Sequence, residues 1–232
     1  MKKSKKLFWT ATSLLAGFLA WTLLLTVVDV QAVGPMGSKV GFAALNGWVH
    51  ETVGCHMLLY TITDWLGLVP VALMLFFGVV GLTQWIKRKK IRLVDWDILA
   101  LGGFYLLMLG GYLLFEELAL NFRPVLIDGF LEASYPSSTT LLVLCVLPTA
   151  MLQTKIRLQK GFVRYLLLAM MGGFVAFMVI GRIISGVHWI SDIVGGLLLS
   201  GGLVGLYAFV LEWMSEKSCG RRKKHENFGD GV

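Results

Sequence analysis

From Leu7 to Val28 the chain runs 22 residues without a charged side chain, and comparable apolar runs recur toward its C-terminal end, separated by short basic clusters. A run of that length matches the thickness of a bilayer core, which takes roughly 20 residues of helix to cross. Composition agrees: 56% of the residues are hydrophobic, only 15% are charged and the mean hydropathy is +0.74, whereas a soluble domain carries about a quarter charged residues. An ordinary soluble enzyme is excluded. The 232 residues suffice for about six spanning helices with short connections and leave no room for a second globular domain.

The expected spans are Leu7 to Val28, Met57 to Ile86, Ile98 to Phe115, Ser137 to Gln153, Tyr165 to Ile180 and Ile193 to Leu211. The second is interrupted by Asp64 and softened by Gly67 and Pro70, so a kink is expected there. The first follows Lys2-Lys-Ser-Lys-Lys6 and resembles a signal peptide, yet its apolar run exceeds the 7–15 residues of such a segment; an uncleaved span is the better reading. Between the first two spans, a glycine-rich loop carries an amphipathic piece around Phe42 to Val53, expected as a short interfacial helix. The whole is read as one all-α membrane domain over 1–232, with a core over about 57–210 and a basic tail over about 212–232.

Charge orients the bundle. The net charge is +7 and the pI about 9.4, but 18 of the 21 basic residues fall at 2–6, 87–92, 155–164 and 217–224. An even number of spans puts all four clusters on one side, and positive residues favour the cytoplasm. Both termini are therefore expected to be cytoplasmic in a multi-pass cell-membrane protein. The clusters suit contact with anionic lipid rather than nucleic acid. Cys55, Cys145 and Cys219 form no disulfide framework, and no spacing of His, Cys or carboxylates suggests a metal or other cofactor. Trp9, Trp85, Trp96, Trp189 and Trp213 fall near span ends, as an aromatic belt would have them. The glycine pairs at 102–103, 110–111, 172–173, 195–196 and 201–202 should permit close helix contacts.

The three basic residues outside the clusters are Lys39, Arg123 and Arg182, and the two arginines share the external level with other polar groups. One external segment reads Glu116-Glu-Leu-Ala-Leu-Asn-Phe-Arg-Pro124 and continues to Tyr135-Pro-Ser-Ser-Thr-Thr140; another reads Gly181-Arg-Ile-Ile-Ser-Gly-Val-His-Trp-Ile-Ser-Asp192. Charge at the membrane is costly and marks functional candidates. His188 and Asp192 are four apart, so the carboxylate can hold Nδ1–H and leave the other nitrogen as a nucleophile. Arg182 is six residues from His188, about 600° of helical rotation; the two can share a ligand only if Ser185-Gly186 interrupts the helix. Pro136-Ser-Ser-Thr-Thr140 reads as a helix start, whose free N–H groups suit a phosphate, and Arg123 and Arg182 add fork-shaped donors.

Each feature alone has a plainer meaning. Ser-Ser-Thr is a helix cap, His188 an interfacial histidine, and Arg123-Pro124 a snorkelling anchor with a turn. Asp64, four positions after Tyr60, is expected to close an internal polar contact. Glu116, Glu117, Asp128 and Glu132 solvate their loop or pair with the arginines. His50 and His56, in the first external loop, are mobile candidates for an acid. Co-location of Arg, Ser/Thr, Arg, His and Asp favours a phosphate cradle with a nucleophilic imidazole.

Arg123-Pro124, Pro136-Ser137-Ser138-Thr139 and Gly181-Arg182-x5-His188-x3-Asp192 together resemble the three motifs of the membrane-bound type 2 phosphatidic acid phosphatases (PAP2), which include phosphatidylglycerophosphate and undecaprenyl pyrophosphate phosphatases of bacteria. The resemblance spans about 57–210 and implies a PAP2-like bundle of six transmembrane helices. It also implies that His188 attacks phosphorus, that Asp192 orients it, and that Arg123, Ser137, Ser138 and Arg182 hold the phosphate. Three departures alter the chemistry. Glu116 stands where the family has Lys, Gly181 where it has Ser, and Thr139 where it has the general-acid His; Ser138 also replaces a Gly.

A hydroxyl cannot replace an imidazole as proton donor at neutral pH, and a pyrophosphate substrate lessens that defect because phosphate leaves more readily than an alkoxide. The function expected is a lipid phosphatase or pyrophosphatase acting at the outer face through a phosphohistidine. The alternatives are a weakly catalytic protein that binds or moves a lipid phosphate, and a phosphotransferase using the same histidine.

Overall fold

The computed structural model describes the backbone of residues 2–229 and the side chains of residues 2–218. Eight α-helices make up most of it: α1 Lys2–Val27, α2 Ala43–Val53, α3 Met57–Leu66, α4 Leu68–Arg88, α5 Trp96–Leu118, α6 Ser138–Arg157, α7 Phe162–Ser185 and α8 Ile190–Gly229. Among the described residues β-pairing is confined to three isolated bridges in the loops. Six helical segments are long and apolar enough to cross a membrane, with α3 and α4 together forming the second. The all-α, six-span architecture expected from the apolar runs is the one observed, and α2 falls on the expected interfacial helix.

The helices extend two to five residues beyond most expected limits, and α8 runs well past Leu211 to Gly229; local chemistry sets where several of them start or stop. Helix α7 continues to Ser185 because Gly186, at φ +67°, supplies the left-handed turn that ends it. A side chain on Gly186 would also overlap the carbonyl of Gly54, so this position needs glycine for both space and backbone. Helix α8 begins at Ile190 because Asp192 Oδ2 accepts the Trp189 N–H at 3.0 Å, the reach-back of a capping box. The second span breaks at Gly67, between α3 and α4.

Helices α6 and α8 are the centre of the bundle, with 50% and 44% of their apolar windows buried, against 11% for the second span. Helix α1 packs along α8: Leu15 and Ala11 lie where side chains on Gly202 and Gly205 would collide. Of the glycine pairs, 195–196 and 201–202 do make close contacts, with Tyr135, Thr140, Leu14 and Leu15. Those at 102–103 and 110–111 have open space around them, with nothing within 4 Å of a side chain added there.

One end of the bundle collects the basic clusters. Lys3 pairs with Glu212 at 2.7 Å, Arg88 with Asp95 at 2.7 Å and Arg157 with Asp97 at 2.8 Å. The first ties the start of α1 to α8, and the other two bring the end of α4, the start of α5 and the end of α6 to one level. Cys219 and the basic residues 221–224 lie outside the described side chains. Cys55 is exposed and Cys145 buried.

Candidate active site

The opposite end holds the polar segments. Tyr135 anchors its loop: its hydroxyl meets Thr22 Oγ1 at 2.7 Å, and a side chain on Gly195 would collide with its ring. The chain then enters α6 at Ser138, with Ser137 as the residue before the helix. The Ser137 N–H reaches the Asp192 carbonyl at 3.3 Å, tying the start of α6 to the start of α8. The break at Ser185-Gly186 is present, and His188 sits in the four-residue connection between α7 and α8.

His188 is 5% exposed. Its Nε2 lies 3.4 Å from Arg123 Nη1, and its Nδ1 lies 3.8 Å from Asp192 Oδ2. The second distance is an ion-pair approach, too long for a hydrogen bond, so the expected hydrogen bond is not made. The reason is that His188 is not helical, and Asp192 is occupied by the Trp189 N–H and by Asn121 Nδ2 at 3.2 Å. Burial pushes the imidazole pKa down to about 4, against the upward pull of Asp192 and with help from the neighbouring arginines. A neutral imidazole at physiological pH keeps a lone pair available for attack.

The two arginines share one aromatic platform. The Tyr60 ring lies 5.8 Å from the Arg123 guanidinium carbon and 5.0 Å from that of Arg182. Arg123 Nε pairs with Glu132 Oε2 at 2.9 Å, the loop pairing expected of an external carboxylate. Arg182 is 1% exposed; it donates to Asp64 Oδ1 at 3.0 Å, to the Thr139 hydroxyl and to Thr63 Oγ1 at 3.4 Å. Asp64 thus closes the internal contact expected of it, with Arg182 as partner. Gly181 explains the geometry: a side chain there would run into the Thr63 methyl, so the glycine found in place of the family serine lets α3 lie close against α7.

A polar cavity of about 560 Å³ opens beside His188, lined by Arg123, Glu116, Glu132, Tyr112, Ser138 and neighbours. An apolar groove of about 350 Å³ runs between α4, α5 and α6, lined by Asp64, Thr139 and several aliphatic residues. Tyr112 and Ser138 line both, so the two spaces meet. Arg123, Ser138, Thr139 and His188 therefore line the joined spaces, with Arg182 behind Thr139 and Asp192 behind His188. Ser137 is not on the cavity wall: fully buried, its hydroxyl accepts from Thr140 at 3.0 Å. Trp189, expected in the aromatic belt, is 3% exposed and donates its indole N–H to the Phe122 carbonyl at 2.7 Å, because the short α7–α8 turn carries it inward. His50 meets the Trp189 ring edge at 5.5 Å, and His56 Nε2 lies 3.0 Å from the Val53 carbonyl; neither lines the cavity.

Asn121 and Tyr60 escaped the sequence reading. Asn121 is 1% exposed and bridges Asp192 to the Gly41 N–H; its only signal was its place in the polar stretch before Arg123. Tyr60 was noted only through its spacing to Asp64. Among the described residues no group of three or more His, Cys, Asp and Glu side chains is arranged to hold a metal ion.

In fold, the chain is similar to the crystal structure of a transmembrane PAP2-type phosphatidylglycerolphosphate phosphatase from Bacillus subtilis, with a TM-score of 0.58 and 18% identity over 90% of this chain and 97% of that one. No curated protein sequence matches. A family model described as the PAP2 superfamily matches residues 71–216, a segment that takes in Arg123, the start of α6, Arg182, His188 and Asp192. With well over half of its length matched, the chain belongs to the PAP2 superfamily.

Proposed function

We propose that the protein is a lipid phosphatase that removes phosphate from a phospholipid head group or a prenyl pyrophosphate through a phosphohistidine on His188. The observation that carries this reading is the junction of a polar cavity, holding Arg123 beside a buried neutral imidazole, with an apolar groove that reaches it at Ser138. A lipid phosphate has the same two-part character. The phosphate would sit against Arg123, Arg182 and the N–H groups at the start of α6, where hydrogen bonds and the helix dipole favour negative charge. The chain would lie in the groove.

In the reaction, His188 Nε2 attacks phosphorus and the two guanidinium groups stabilise the charge spread over the equatorial oxygens. Asp192 acts from behind the ring by fixing the α7–α8 turn and favouring the proton on Nδ1. Ser137 contributes as the residue that joins the α6 and α8 starts, rather than as a phosphate donor. Basic clustering at the opposite end supports cytoplasmic termini and a site at the outer face.

The test is phosphate release by purified protein from a panel of lipid monophosphates and prenyl pyrophosphates. Release that vanishes in His188→Ala, with acid-labile phosphate trapped on the wild-type chain, supports the reading. Binding without turnover by either protein would favour lipid-phosphate binding instead. For sidedness, native Cys55, exposed at the site end, should react with an impermeant thiol reagent in intact cells, and Cys55→Ser should lose that label. Protection of Cys55 together with outside labelling of Lys89→Cys would invert the topology.

A further inference from the structure

We infer that Asp64 supplies the acid the site lacks at Thr139, protonating the lipid oxygen as it leaves. The inference rests on the phosphatase reading above and identifies the second proton-transfer group of that same site.

Asp64 lies in the second span, one turn before the break at Gly67, and its side chain is 55% exposed. A carboxylate there, facing an apolar groove, is costly and calls for a role. Its position follows from one close approach, Gly181 letting α3 settle on α7, while a side chain on Gly67 would lie within ordinary contact range of the Thr139 methyl. The same Arg182 Nη2 atom that donates to Asp64 also donates to Thr139. The carboxylate is thus at the place where the missing histidine would have acted.

In-line displacement decides what a group at that place can do. Nucleophile and leaving group must lie on opposite sides of phosphorus. His188 lines the polar cavity, Asp64 and Thr139 line the apolar groove, and Ser138 and Tyr112 line both. A phosphorus atom seated at that junction has the imidazole on one side and Asp64 on the side toward which the lipid oxygen departs. Glu116 and Glu132 share the cavity with His188 and are on the wrong side for this step.

Arg182 donates to Asp64 across 3.0 Å. An arriving phosphate competes for the guanidinium, and Asp64 is left facing an anion. The monoanionic ester passes its proton to that carboxylate. The Nε2 lone pair then forms the N–P bond, the P–O bond to the lipid breaks, and the lipid oxygen takes the proton from Asp64 to leave as an alcohol. In the second half, water attacks phosphorus and gives a proton to Asp64 while the N–P bond breaks. Inorganic phosphate departs with that proton, and His188 and Asp64 return to their starting states.

The experiment uses farnesyl monophosphate and farnesyl diphosphate, which present the same chain to the groove but leave as an alkoxide and as a phosphate. The isosteric Asp64→Asn retains an acceptor for Arg182. It should lower turnover of the monophosphate about 100-fold, in the range for losing a general acid, and that of the diphosphate less than about 10-fold. The diphosphate rate also reports that the variant is folded. Equal losses on both substrates, or a wild-type protein that turns over the diphosphate alone, would overturn the role of Asp64 while leaving the phosphatase reading intact. A wild-type protein that releases phosphate from neither, nor from any other lipid phosphate, would remove both.

Discussion

Buried polar groups occur at both ends of the bundle, and the two sets are built differently. At the basic end, Gln153 donates to the Tyr207 hydroxyl, Tyr207 donates to the Asp97 carbonyl at 3.3 Å, and Arg157 holds the Asp97 carboxylate at 2.8 Å. That chain ties α5, α6 and α8 together and encloses no polar cavity. Each end leaves buried atoms without a hydrogen-bond partner, Gln153 Oε1 at the basic end and Arg182 Nε and His188 Nδ1 at the site end, but the polar cavity of about 560 Å³ opens beside His188. Buried groups left unpaired cost about 1–3 kcal/mol each. The cavity separates a network that ties helices together from one that an incoming group can reach.

Removing the imidazole tests that contrast most severely. His188→Ala should reduce phosphate release at least about 1,000-fold, as expected when a covalent nucleophile is lost, while the detergent-solubilised protein remains folded by circular dichroism. Arg182→Lys should cost about 100-fold in kcat/KM, because an ammonium cannot serve Asp64, Thr139 and a phosphate together as the guanidinium fork can. Asp192→Asn should lower kcat about 10-fold and also weaken the fold: the amide can no longer accept from both Trp189 N–H and Asn121 with both oxygens. Steady-state kinetics with a thermal melt would separate the two effects.

The same imidazole gives the site end its own pH dependence. Its folded-state pKa of about 4 lies below the usual 6.5, so the unfolded chain takes up the proton first as pH falls. Its contribution to stability is complete above pH 6.5 and declines by up to about 1.4 kcal/mol per pH unit toward pH 4. Melting temperatures across that window should therefore fall more steeply for wild type than for His188→Ala. Parallel curves would show that His188 titrates normally. The smallest effect on activity is expected from the basic end. Tyr207→Phe should cost about 1 kcal/mol of stability and leave kcat unchanged; a fall in kcat would show that the two ends are coupled.

Much of the architecture was legible in the apolar runs, because a bilayer imposes a length on every span and a sign on the loops. The helix break at Ser185-Gly186 was also readable, since only a residue tolerant of positive φ could turn α7 back so sharply. Trp189 shows the limit. Its position near a span end matched a lipid-facing belt, but the turn at 186–189 points the ring inward to Phe122. Ser137 shows it again: adjacent Ser137 and Ser138 carry the same hydroxyl, and only packing decided that Ser138 faces the cavity while Ser137 is buried against Thr140.

By itself, the sequence determined six membrane spans, their basic clusters, and the polar segments that meet at the other end. Those properties depend on length, charge and local spacing, which act along the chain. The tertiary structure decided that Arg182 rests on Asp64 and Thr139, that Arg123 stands against His188, and that a polar cavity meets an apolar groove at Ser138. These contacts join residues more than 40 positions apart. The Arg182 contacts depend on Gly181, which lets α3 lie close against α7, a packing effect with no periodicity to announce it.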